Sequence, residues 1–162
     1  MVNKRITIVC DQSGSMIEGS KRLIVRSLVR SIGQFFRFGE DTAAIRLVSW
    51  SETARIIDWV PLQDVPNQIL YCTGEANADA LLSFLGNVSG ERIFILTDGY
   101  WPHKTRTILQ DWKNGLPVDT IRIIKIGLDS NPLLKGSGVF GSEQFFEALE
   151  GWDRQSVSEQ LA

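Results

Sequence analysis

The chain has 162 residues, 43% of them hydrophobic and 22% charged, a composition that suits one folded domain and excludes a disordered or fibrous chain. Its 17 lysines and arginines against 19 aspartates and glutamates leave a formal charge of −2, which argues against nucleic-acid binding through bulk charge. No apolar run approaches the roughly 20 residues of a membrane span, and two cysteines with one histidine make neither a disulfide framework nor a zinc site.

Arg5 to Cys10 is β-branched and apolar, the pattern of a strand buried on both faces, and it stops at the polar run Asp11-Gln12-Ser13-Gly14-Ser15. The apolar part of that segment is too short for a signal-peptide core of about 7–15 residues, so a cytoplasmic location is expected. Ser20 is placed to cap a helix from Lys21 to about Phe36, in which Ile24, Leu28, Ile32, Phe35 and Phe36 recur at helical spacing. Thr42 to Trp50 and Ala54 to Val60 read as a hairpin, so one of the two runs antiparallel to the other. Asn77 to Leu85 has helical spacing and stops at Gly86. Arg92 to Leu96 is a second continuously apolar strand, ending at Thr97-Asp98-Gly99. A helix from about His103 to Asn114, a strand from Thr120 to Ile126, a short strand at Val139-Phe140 and a helix over Glu143–Glu150 capped by Ser142 complete the pattern.

Alternating buried strands and amphipathic helices predict an α/β fold, a mostly parallel sheet covered on both faces and doubly wound by right-handed crossovers. The domain spans 1–152, and 153–162 read as a polar tail. In such sheets ligands bind beyond the carboxyl ends of the strands. Asp11 and Asp98 each follow a buried strand directly, which predicts both carboxylates on one edge of the sheet. Asp11, Ser13 and Ser15 are spaced by two, so an extended loop turns all three to one side, and Thr73 can add a hydroxyl from a third loop. Two carboxylates with hydroxyls form a hard-oxygen set suited to Mg²⁺ or Mn²⁺.

The segments Asp11-Gln12-Ser13-Gly14-Ser15-Met16, Thr73 and Thr97-Asp98-Gly99, in this order and at these strand ends, resemble the three motif segments of a von Willebrand factor A domain with a metal-ion-dependent adhesion site. The resemblance covers nearly the whole chain. It implies a six-stranded sheet of order 3-2-1-4-5-6 with one antiparallel edge strand, Ala54 to Val60. It also implies that Ser13, Ser15 and Thr73 bind the ion directly or nearly so, with Asp11 and Asp98 partly through water. An ion held mostly by neutral hydroxyls keeps much of its charge and favours an anionic ligand from outside, in that family commonly an Asp or Glu of a partner protein. Stand-alone domains of this kind work beside AAA+ ATPases, or in stress-response and phage-conflict systems with kinase or phosphatase partners, so the resemblance implies an adaptor or subunit.

Around the cluster, Met16, Trp50, Glu75, Tyr100, Trp101 and His103 form the candidate partner-binding rim. Trp50, Tyr100 and Trp101 read equally as aromatics folded back onto the helices, His103 as a surface or helix-capping residue, and Glu75 as a residue that can ligate the ion itself. Arg22, Arg26 and Arg30 make a basic stripe that reads as a solvated helix face. Cys10 and Cys72 each precede a candidate ligand and read as small buried strand residues. Two other functions fit the same residues: a Mg²⁺-dependent phosphohydrolase, although Ser13 stands where such enzymes carry a second acid, and a metal-free scaffold.

Overall fold

The computed structural model describes residues 5–38, 44–88 and 90–150; the expected tail at 153–162 and the expected strand start at Thr42 lie outside them. Six strands form one sheet in the order β3-β2-β1-β4-β5-β6. They are β1 (Arg5–Asp11), β2 (Ala44–Trp50), β3 (Ala54–Ile57), β4 (Arg92–Thr97), β5 (Ile121–Lys125) and β6 (Val139–Gly141). All neighbours pair in parallel except β2 and β3, so the antiparallel edge strand is where the sequence predicts it. That strand stops at Ile57, short of Val60. Trp59 turns inward, where it is buried and its Nε1 donates to Gln63 O, and the chain leaves the sheet.

Among the described residues, α1 (Lys21–Phe38), α2 (Ala78–Leu85) and α3 (His103–Gly115) cover the sheet. Strand alternation divides the core between two faces. Ile6, Ile8 and Cys10 of β1, with Phe94, Leu96 and Ile124, meet Val25, Val29 and Ile32 of α1. Val9, Val48, Ile93, Ile95 and Ile123 point the other way, onto Leu81 and Leu85 of α2 and Leu109 of α3. Helix, sheet and helix thus make three layers. Residues 145–150 are helical and set Phe145, Ala148 and Leu149 on the α1 face. Ser142 does not cap that helix; it lies inside a 3₁₀ turn, Ser142–Gln144, and the Gly141 N–H is taken instead by Gln144 Oε1.

Pairing register carries this alternation to the strand ends. Cys10 lies opposite Leu96 on β4, and Asp11 lies opposite Trp50 on β2. Asp11 continues the Val9 face and Thr97 continues the Ile95 face, so these two polar side chains end on the same side of the sheet.

Candidate metal centre

After β1 the chain turns at once into a 3₁₀ segment, Gly14–Ile17, and then into α1. Gln12 fixes this bend. Its N–H donates to Trp50 O (2.7 Å), its carbonyl accepts from Thr73 N–H (2.8 Å), and its side-chain Nε2 donates to Gln68 O and Tyr71 O (2.7 Å each). A further bond from Gly14 N–H to Gly74 O (2.8 Å) joins the Asp11–Ser15 loop to the Thr73 loop. Thr73 therefore stands beside the serines because backbone hydrogen bonds hold its loop there, although the residue itself is exposed.

Asp11 is 1% exposed, and both of its carboxylate oxygens are engaged. Oδ1 accepts the Ser13 N–H (2.8 Å), while Oδ2 accepts the Thr97 hydroxyl (2.6 Å) and the Trp101 indole N–H (3.2 Å). Burial raises the pKa of Asp11 above the ordinary aspartate value; hydrogen bonds from Ser13 and Thr97 oppose that rise, and the charge of Asp98 adds to it. Asp98 is fully buried: Oδ1 accepts the Tyr100 N–H (3.1 Å) and Oδ2 pairs with Lys21 Nζ (3.1 Å). Asn131 braces the Asp98 loop, its N–H donating to Asp98 O (2.8 Å) and its Nδ2 to Gly99 O (3.1 Å).

Burial alone pushes the Lys21 ammonium toward its neutral form. The hydrogen bond and charge of Asp98, with Asp129 and Glu18, more than offset this, so its pKa lies above the usual lysine value. Burial also raises the thiol pKa of both Cys10 and Cys72, with the charge of Asp11 adding to each. Both thiols are free.

The hydroxyls distinguish the cluster. Ser13 Oγ and Ser15 Oγ are buried and neither meets hydrogen-bond geometry with any partner, although the Ser13 hydroxyl lies near enough to Asp11 to help hold its pKa down. Native proteins seldom leave such groups unpaired, and each costs about 1–3 kcal/mol when they do. Among the described residues no three carboxylate, imidazole or thiol groups form a set that could hold a metal ion by themselves, so an ion at this edge needs the hydroxyls as well as the acids. Two orphaned hydroxyl oxygens beside two carboxylates match the donor set that a hard divalent cation takes. The residues present fit Mg²⁺ or Mn²⁺.

The candidate rim divides. Met16, Trp50 and Trp101 are corrections: all three are buried and offer a partner no surface. Met16 packs into the α1-face core, and Trp50, level with Asp11 in the sheet, faces α2 and α3 with its indole N–H on Asn77 O (2.8 Å). Trp101 meets Trp50 edge to face at 5.9 Å between ring centroids, so the two indoles wall Asp11 rather than ring the site. Tyr100 is 47% exposed and donates its hydroxyl to Asp129 O (2.6 Å), and His103 is exposed at the first residue of α3. Glu75 is exposed and lines a groove of about 480 Å³ with Glu52, Asp79 and Lys104. The basic stripe is tied locally: Arg22 donates to Leu70 O and Arg30 faces the exposed Asp64. Sequence reasoning passed over Gln12, Lys21, Thr97 and Asn131 as members of the site. Thr97 carried a signal, since alternation along β4 sets it on the Asp11 face, and so did Lys21, a cation at a helix start.

An open, mostly parallel sheet whose strand order reverses between β1 and β4, with acids and hydroxyls at that reversal, defines a doubly wound α/β protein with its site at the switch point. No protein-family profile and no curated protein matches the chain. Solved structures do. The chain is similar to a von Willebrand factor type A protein from Catenulispora acidiphila, with TM-score 0.57 and 17% identity over 90% of this chain and 40% of that one. It is also similar to proximal thread matrix protein 1 from the mussel byssus with a zinc-occupied MIDAS motif, with TM-score 0.56 and 15% identity over 90% of this chain and 44% of that one. A third is manganese-loaded TRAP protein of Plasmodium vivax, with TM-score 0.55 and 13% identity over 86% of this chain and 68% of that one. The chain thus spans less than half the length of the first two. It has the von Willebrand factor A fold.

Proposed function

We propose that this chain is a metal-dependent protein-interaction module, in which Ser13, Ser15, Thr73, Asp11 and Asp98 hold Mg²⁺ or Mn²⁺ and the ion takes an Asp or Glu side chain of a partner as a further ligand. The observation that carries this reading is the pair of buried, unpartnered hydroxyls, Ser13 Oγ and Ser15 Oγ. An ion would supply the partner they lack, and neutral ligands would leave it enough charge to attract a carboxylate. The metal-loaded neighbours of the same fold, one with zinc and one with manganese, support a divalent ion at this edge.

Binding is preferred to catalysis because Asp11, the candidate nucleophile of the phosphohydrolase reading, is buried with both oxygens accepting hydrogen bonds. The metal-free scaffold draws some support from Lys21, which gives Asp98 a cation, but it leaves the two serine hydroxyls without partners. Free thiols suit a reducing compartment, and no helix among the described residues is long and apolar enough to cross a membrane; we assign the module to the cytoplasm. There it would act as adaptor or subunit beside an AAA+ ATPase, or with the kinase or phosphatase of a stress-response or phage-conflict assembly.

Calorimetric titration with Mg²⁺ and Mn²⁺ tests the first half of the proposal. The wild-type chain should bind one ion and the Ser13→Ala/Ser15→Ala variant none, while both unfold with similar cooperativity. Absence of binding by the wild type at millimolar metal would overturn the reading. A Mg²⁺-dependent pull-down analysed by mass spectrometry tests the second half: bound protein should be released by chelator, and a complex that persists in chelator would count against a metal-bridged partner.

A further inference from the structure

Lys21 is the first residue of α1, and a cation there stands at the wrong end of the helix dipole. It is nonetheless only 4% exposed, and its Nζ lies 3.1 Å from Asp98 Oδ2, 3.5 Å from Asp129 Oδ2 and 3.8 Å from Glu18 Oε2. Nζ also donates to the backbone carbonyl of Ser15 (3.4 Å), and it sits 5.7 Å from the centroid of the Tyr100 ring. The stem has a bed of its own. Gly127 has φ +93°, and a Cβ there would come within 3.1 Å of Lys21 Cε, so the glycine leaves the space that the lysine fills. Backbone, aromatic ring and acids all hold this ammonium against Asp98, one of the residues assigned to the ion.

We propose that Lys21 is a built-in counter-charge that couples metal binding to carboxylate binding. The inference rests on the metal reading above. Without Lys21, two carboxylates and a divalent ion cancel. With it, Asp11, Asp98, Lys21 and the ion together carry a formal +1, which Glu18 and Asp129, both more than half exposed and screened by water, offset only in part and a partner's carboxylate at the ion cancels. Lys21 therefore weakens the hold on a bare ion, because like charges must share Asp98, and strengthens the hold on an ion that arrives with an anion. By linkage the effect is reciprocal: the factor by which the anion tightens the metal equals the factor by which the metal tightens the anion.

The test uses the full chain, Mn²⁺ as the metal and acetate as the carboxylate, with chloride at equal ionic strength as control. Mn²⁺ affinity is read from the paramagnetic resonance signal of the free ion. In the wild type acetate should tighten Mn²⁺ by several-fold. Lys21→Met keeps an unbranched stem over Gly127 without the charge; it should bind Mn²⁺ at least ~10-fold tighter in chloride and lose the acetate effect. Lys21→Arg retains the charge and should keep weak binding and the acetate effect. If Lys21→Met does not fold, the wild-type measurement still decides, because Mn²⁺ binding indifferent to acetate overturns the proposal. Equal Mn²⁺ affinity in wild type and Lys21→Met, or equal acetate effects in both, overturns the role of Lys21 while leaving the metal reading intact. If no form of the chain binds Mn²⁺, the metal reading fails and this inference fails with it.

Discussion

Replacing Thr97 by Val tests whether a buried hydrogen-bond relay holds the two acidic loops together. The hydroxyl donates to Asp11 Oδ2 at 2.6 Å and accepts the Gly99 N–H at 3.0 Å, with all three residues buried. Valine has nearly the same shape, so packing is retained and only the two hydrogen bonds are lost. A hydrogen bond to a charged acceptor contributes about 1.5–3 kcal/mol, and an unpaired buried N–H costs about 1–3 kcal/mol. Together the loss should be about 3–5 kcal/mol, a large share of the roughly 5–15 kcal/mol that such domains possess. For a chain of this length that corresponds to a fall in Tm of ~6–20 °C.

Urea denaturation followed by intrinsic tryptophan fluorescence measures the change, with the m value expected to stay constant. The companion Thr97→Ser keeps the hydroxyl and gives up one methyl, so it should lose only about 1 kcal/mol. Thr97→Val within about 0.5 kcal/mol of the wild type, or Thr97→Ser losing more than Thr97→Val, would refute the reasoning, because burial of a methyl rather than the relay would then be what matters.

Gly99 has φ +78°, and a Cβ there would lie 2.7 Å from Leu134 Cδ2, so Gly99→Ala should cost more than about 2 kcal/mol by denaturation, part of it recovered when Leu134→Ala removes the clash. Gln12→Met, similar in length but without the amide, leaves Gln68 O and Tyr71 O without their donor; a loss of about 2 kcal/mol and faster exchange of the Thr73 amide are expected, and unchanged exchange would mean that the side chain does not brace that loop. Burial holds both thiols toward the protonated form, so at neutral pH the reactive thiolate is scarce: iodoacetamide should modify Cys72 slowly and Cys10 only after unfolding, as peptide mapping would show, and rapid native labelling of Cys10 would contradict its burial.

The layer structure was legible because β1 and β4 are largely apolar and run straight into Asp11 and Asp98, and strands buried on both faces that alternate with amphipathic helices suit a covered parallel sheet. The hydroxyl and carboxylate set followed from the same two strand ends. The tryptophans did not follow. Whether Trp50 points at solvent or at α2 depends on its being level with Asp11, and that level is a pairing register between two strands, which neither strand specifies alone. Once the register is known, Trp50 must lie on the Val9 face, where Trp101 closes over it.

Lys21 escaped for a different reason. Sequence places it at the start of a helix, where a lysine normally reaches into water, whereas its partner Asp98 is 77 positions further along the chain. Only the crossing of α1 over the sheet edge brings the two together. A signal was nevertheless present in the sequence, since Lys21 stands where helix electrostatics disfavour a cation. In a chain whose other strand-end residues are acids and hydroxyls, a positive charge at a helix start points to a negative one close by. Asp98, buried at the end of the strand on which the expected sheet would rest this helix, was the candidate to meet it.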